Sequence, residues 1–126
     1  MRRVLGVPVV AVLALGLSGC GGDEERLTVY SGRNRDLIGP LLEQFADETG
    51  IDIDVRYDDT ANLALLIDTE GGQSPADVFL SQSPGAVAFL EERGRLGALP
   101  DELLSEVPED DRSSEGTWVG LTGRVR

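Results

Sequence analysis

An α/β fold with a parallel-type sheet is what this sequence predicts, and three observations carry the prediction. Short β-branched and aromatic runs alternate with stretches of helical periodicity along the chain. The helical stretches stop at glycine, and the strand-like runs end in Ser, Gly, Asn or Asp. No internal repeat or low-complexity segment interrupts the alternation.

The first element is Leu27-Thr28-Val29-Tyr30-Ser31, a buried strand by composition, broken by Gly32-Arg33-Asn34-Arg35-Asp36. A helix is expected from Leu37, with Ile38, Leu41, Leu42 and Phe45 on its apolar face. Asp36 is its expected N-cap, Pro40 falls in the first turn, and Gly50 supplies the stop. Ile51, Ile53, Val55 and Tyr57 alternate with Asp52, Asp54 and Arg56, the period of a strand. Asp58-Asp59-Thr60 reads as a turn and cap, followed by a helix with Leu63, Leu66 and Ile67 facing inward until Gly71-Gly72. Ser74-Pro75 turns into a third strand over residues 76–81, and Ser83-Pro84 opens a third helix that stops near Gly94. Asp101 is expected to cap a short helix reaching about Val107. After an irregular stretch, Trp118-Val119-Gly120-Leu121-Thr122 reads as one more strand, with Trp118 in a core.

Composition excludes several functions. The chain has 126 residues, a net charge of −12, 40% hydrophobic and 27% charged residues, which fits a soluble globular domain. Its acidity opposes binding to nucleic acid or anionic lipid, so neither is an expected partner. It has no histidine, which removes the commonest general base and metal ligand, and with it the Ser-His-Asp and Cys-His hydrolases. Asp58 and Asp59 form no calcium-loop pattern and read as a solvated turn. The chain is therefore not expected to be an enzyme.

The only cysteine, Cys20, closes an apolar run. Arg2 and Arg3 precede an uncharged stretch from Val4 to Leu17, too short for a span of roughly 20 apolar residues but of the length of a secretion signal. Leu17-Ser18-Gly19-Cys20 resembles the bacterial lipobox, which implies that residues 1–19 are removed and Cys20 is lipidated. Residues 20–26 then form a lipidated tether holding the domain outside the cell on its membrane, at the periplasmic side or the cell surface. The remaining 27–126 amount to one domain.

In open α/β sheets, ligands bind beyond the carboxyl ends of the strands, beside helix N-termini. Ser31-Gly32-Arg33-Asn34 and Ser81-Gln82-Ser83 have that placement and offer hydroxyl, amide and guanidinium groups suited to an anion or an oxygen-rich ligand. Two readings stand at this point: a binding edge, or helix caps and polar loop residues.

Leu27-Thr28-Val29-Tyr30-Ser31-Gly32-Arg33, Phe45-Ala46-Asp47-Glu48-Thr49-Gly50-Ile51, Ser74-Pro75-Ala76-Asp77-Val78-Phe79 and Trp118-Val119-Gly120-Leu121-Thr122-Gly123-Arg124-Val125-Arg126 form a series. Together with Cys20, it resembles the N-terminal part of the ferric-iron-binding substrate-binding proteins of ABC transporters. The resemblance implies the N-terminal lobe of a type II periplasmic-binding-protein clamshell, truncated near the first hinge crossing. It implies capture of iron(III), with a synergistic anion such as carbonate or phosphate, by a monomer that delivers it to a membrane permease. Asn34 stands where many members place a histidine ligand and Gln82 where they place a glutamate, while Tyr57 ends a strand as a further candidate metal ligand. Arg33 and Arg124 match anion-neutralising positions, and the paired tyrosine ligands are expected beyond Arg126. The alternatives are a solute-binding lipoprotein for another small anion, a polyamine or an organic solute, or a truncated lobe without binding activity of its own.

Overall fold

The computed structural model describes residues 26–123, and the expectations for the leader, for Cys20 and for Arg124 lie outside that stretch. Strand β1 (Arg26–Ser31) pairs in parallel with β2 (Asp52–Tyr57) on one side and with β3 (Val78–Leu80) on the other, giving the order β2-β1-β3. The chain passes from β1 to β2 through helix α1 (Arg35–Thr49), and from β2 back across β1 to β3 through α2 (Thr60–Glu70). These two steps run in opposite directions, so right-handed crossovers put their helices on opposite faces of the sheet. Side-chain alternation agrees. Leu27, Val29 and Ser31 align with Ile53, Val55 and Tyr57, and the latter three meet α1. Tyr30 points the other way and is buried with Leu63, Ala64 and Ile67 of α2 and Leu90 of α3 (Pro84–Glu92).

Helix α1 begins two residues before Leu37, and its N-cap is Asn34 rather than Asp36. The Asn34 Oδ1 accepts the Asp36 N–H at 2.8 Å, which leaves Asp36 in the first turn, where a carboxylate favours the helix dipole. Gly50 ends the helix at φ 74, a left-handed cap that a side chain disfavours, and its N–H donates to Ala46 O at 2.8 Å. Asn34→Ala is expected to lower stability by about 1 kcal/mol, read as a fall in the urea midpoint at unchanged slope.

The apolar face of α1 differs from the expected one. Gly39 is buried and Ile38, Leu42 and Ala46 are half-buried, whereas Leu37, Leu41 and Phe45 are 66%, 60% and 43% exposed. Two adjacent stripes carry apolar residues, and the one with Gly39, Leu42 and Ala46 is the one that faces Ile53, Val55 and Tyr57 of β2.

Strand β3 is shorter than expected, yet Asp77 extends its pairing by other means. The Asp77 N–H donates to Thr28 O at 2.9 Å, and its carboxylate accepts the Thr28 N–H at 2.8 Å. Helix α4 (Asp101–Ser105) ends before Val107, and Pro100 occupies its cap position, so Asp101 lies within the first turn. The strand expected over residues 118–122 is reduced to one antiparallel bridge, Arg112 to Val119, with Gly120 N–H donating to Asp111 O at 2.6 Å. Among the described residues its partner is the short stretch after a 3-10 turn at Glu109–Asp111, and a ladder does not continue where no extended edge among them runs beside it.

Candidate ligand-binding edge

The sheet order reverses at β1, so the crevice beyond the carboxyl ends of β1 and β3 is the place where open α/β sheets take ligands. Three loops converge there. Gly32, after β1, donates its N–H to Leu80 O at 2.8 Å, and its own carbonyl accepts Gln82 Nε2 from the loop after β3. Thr60, at the start of α2, accepts the Gln82 N–H on Oγ1 at 3.2 Å. A Cβ on Gly32 would lie 2.0 Å from that same Oγ1, so the close approach of the loops requires glycine.

The expected binding residues divide into those that shape this edge and those exposed on it. Ser31 is fully buried, and its hydroxyl closes on its own loop, accepting Arg33 N–H at 3.2 Å and donating to Arg33 O at 3.1 Å. Ser81 does the same with Ser83, at 3.0 Å and 2.8 Å. These are side-chain turns that hold the backbone in place. Asn34 and Gln82 are exposed, and Arg33 is half-buried, donating from Nη2 to Thr122 Oγ1 at 3.0 Å. Thr60 and Thr122 were not singled out in the sequence. Only the position of Thr60 at the carboxyl end of a strand, matching the other two loops, marks it.

The tyrosines are turned elsewhere. Tyr57 lies on the α1 face, with the Arg35 guanidinium 4.7 Å over its ring and Gly39 and Leu42 beside it. Tyr30 is buried and donates to the Glu70 carboxylate at 3.0 Å, which also accepts Ser74 Oγ at 2.7 Å. Burial first, and then the Glu70 carboxylate, push the Tyr30 hydroxyl above its ordinary range, so it stays protonated.

Asp58, after β2, is engaged with its own neighbours. Asp58 accepts Asn62 Nδ2 at 3.1 Å and Asp59 N–H at 2.7 Å, and these bonds, the Asn62 one foremost, hold its carboxyl below the usual range. Among the described residues, no group of three or more His, Cys, Asp or Glu is arranged to hold a metal ion. An open hollow of about 870 Å³ lies elsewhere, between α4 and residues 107–116, where Arg112 is already bonded to Leu104 O. It lies away from the carboxyl ends of the strands and is not the candidate site.

Away from the edge, Glu91 on α3 accepts the hydroxyls of Ser113 and Thr117 and so ties the C-terminal segment to the second face. Those hydroxyls, Ser113 first, hold its carboxyl below the ordinary range, and the Trp118 indole adds least. A depressed folded value means this stability is present above the unfolded value and is lost as pH falls through the folded one. Acid unfolding followed by fluorescence of the single tryptophan is expected to show this loss, and Glu91→Gln to remove that part of the pH dependence.

A parallel sheet reversing at β1, with a polar loop edge beyond it, is the arrangement in which an α/β lobe takes a ligand. The chain belongs to the bacterial extracellular solute-binding proteins, whose family profile matches residues 27–108. It is 33% identical to Iron uptake protein A1 of Synechocystis, over 99% of this chain and 39% of that protein. It is 32% identical to the major ferric iron-binding protein of Neisseria gonorrhoeae, over 92% of this chain and 36% of that one. Among solved structures, iron-bound HitA from Pseudomonas aeruginosa superposes with a TM-score of 0.75 at 32% identity, covering 78% of this chain and 32% of HitA. The Trichodesmium protein in complex with iron and citrate gives 0.69 at 30% identity, covering 75% of this chain and 30% of that one. The chain thus spans little more than a third of the length of its curated relatives, and the fold is that of a type II periplasmic-binding-protein lobe.

Proposed function

We propose that this chain supplies one lobe of an extracytoplasmic protein that captures ferric iron, together with an anion, for an ABC transporter permease. The observation that carries the reading is the polar edge at the sheet's reversal, in a chain whose relatives over the same stretch are ferric-iron-binding proteins. The edge presents Arg33 and the amides of Asn34 and Gln82. Hard ferric iron prefers anionic oxygen, and amide oxygens are the weaker ligands, so this lobe contributes orientation and a positive charge for the anion. The stronger, anionic ligands come from outside the described residues. Capture then proceeds by binding and closure of two lobes, without covalent chemistry. Residues 1–19 direct export, Cys20 holds the protein to the membrane by its lipid, and residues 27–126 form the lobe.

The test is a ferric citrate titration of the chain and of a chimera in which residues 26–123 replace the matching stretch of HitA. With Tyr30 bonded to Glu70 and Tyr57 under Arg35, the chain alone is expected to give no visible tyrosinate-to-iron band. The chimera is expected to give one and to rise in melting temperature with iron. A folded chimera with neither response overturns the reading.

A further inference from the structure

We propose that Thr60 is a positioning residue for the binding edge, an assignment that rests on the solute-binding reading above. Its hydroxyl is the point where the loops after all three strands meet. Oγ1 accepts the Gln82 N–H at 3.2 Å, which sets the backbone from which the Gln82 side chain crosses to Gly32 O. From the other side, the Thr60 Oγ1 occupies the space a Gly32 side chain would need, at 2.0 Å from the site of its Cβ. The Gly32 N–H, bonded to Leu80 O at 2.8 Å, closes the loop of contacts. Thr60 therefore reaches the ligand only through Gln82 and Gly32, by fixing which way the Gln82 amide and the adjoining Arg33-Asn34 backbone face.

The role depends on an acceptor oxygen of threonine size. Valine keeps the shape and removes the oxygen, and serine keeps the oxygen, so the two variants separate positioning from packing. In Thr60→Val the backbone amide of Gln82 is expected to exchange with solvent about tenfold faster, while the amides of Val29 and Tyr30 in β1 keep their protection. Affinity for ferric citrate, measured in the HitA chimera, is expected to fall about five- to tenfold at unchanged melting temperature. Thr60→Ser is expected to restore both. Unchanged Gln82 exchange in Thr60→Val overturns the proposal, as does an equal loss in Thr60→Ser accompanied by a lower melting temperature. If Gln82 exchange responds as expected but the unsubstituted chimera binds no iron, the positioning role stands and the iron reading falls.

Discussion

Gly32→Ala is expected to lower stability by about 2–3 kcal/mol, a large effect for one added methyl group. The new Cβ would lie 2.0 Å from Thr60 Oγ1, 3.0 Å from Thr60 Cβ and 3.1 Å from Thr60 Cα. A rotamer change can remove the first clash, but the other two involve the stem and backbone of α2, so β1 and α2 must part. Separation pulls Thr60 Oγ1 from the Gln82 N–H, the bond that ties α2 to the loop after β3, so binding falls with stability. Urea unfolding of Gly32→Ala beside Gly32→Ala/Thr60→Gly checks the cause. Partial recovery in the double variant is the expected result, and an unaffected midpoint in Gly32→Ala contradicts the close approach.

Leu63→Ala is expected to lower stability by about 3 kcal/mol, whereas Leu41→Ala changes it by less than about 0.5 kcal/mol. Leu63 is fully buried between Tyr30, Ile67 and Leu90, where truncation leaves a cavity that β1, α2 and α3 cannot close without losing other contacts. Leu41 is 60% exposed on the outer stripe of α1. Denaturant midpoints for the two variants separate these positions, although both leucines sit in equally regular helical repeats. Similar losses would place Leu41 in a buried face.

That contrast marks how far local sequence reaches. The alternation of apolar runs was sufficient for three parallel strands and the helices between them, because period and composition act within each segment. Gly50 announced the end of α1 for the same reason: a left-handed cap is a property of one residue. Asn34 and Asp36 were both capable caps, and the choice fell to Asn34 once β1 fixed where the chain turned. The strand expected at 118–122 has the right residues, but a strand exists only with a partner, and here one bridge to Arg112 is what the neighbouring segment offers. The binding edge shows the same division. The Ser31–Asn34 and Ser81–Gln82 segments were legible as loops at strand ends, since polar residues and glycine after an apolar run are a local signal. Thr60 was not, because its part is played across a gap to Gly32 and Gln82, residues 28 and 22 positions away along the chain. By itself, then, the sequence determined three strands and the helices between them, the parallel type of their sheet and the family to which the chain belongs. Only the tertiary structure decided which face of α1 is buried, which hydroxyls are spent on their own loops, and that Thr60 joins the three loops, because those outcomes depend on distances between segments that no local pattern encodes.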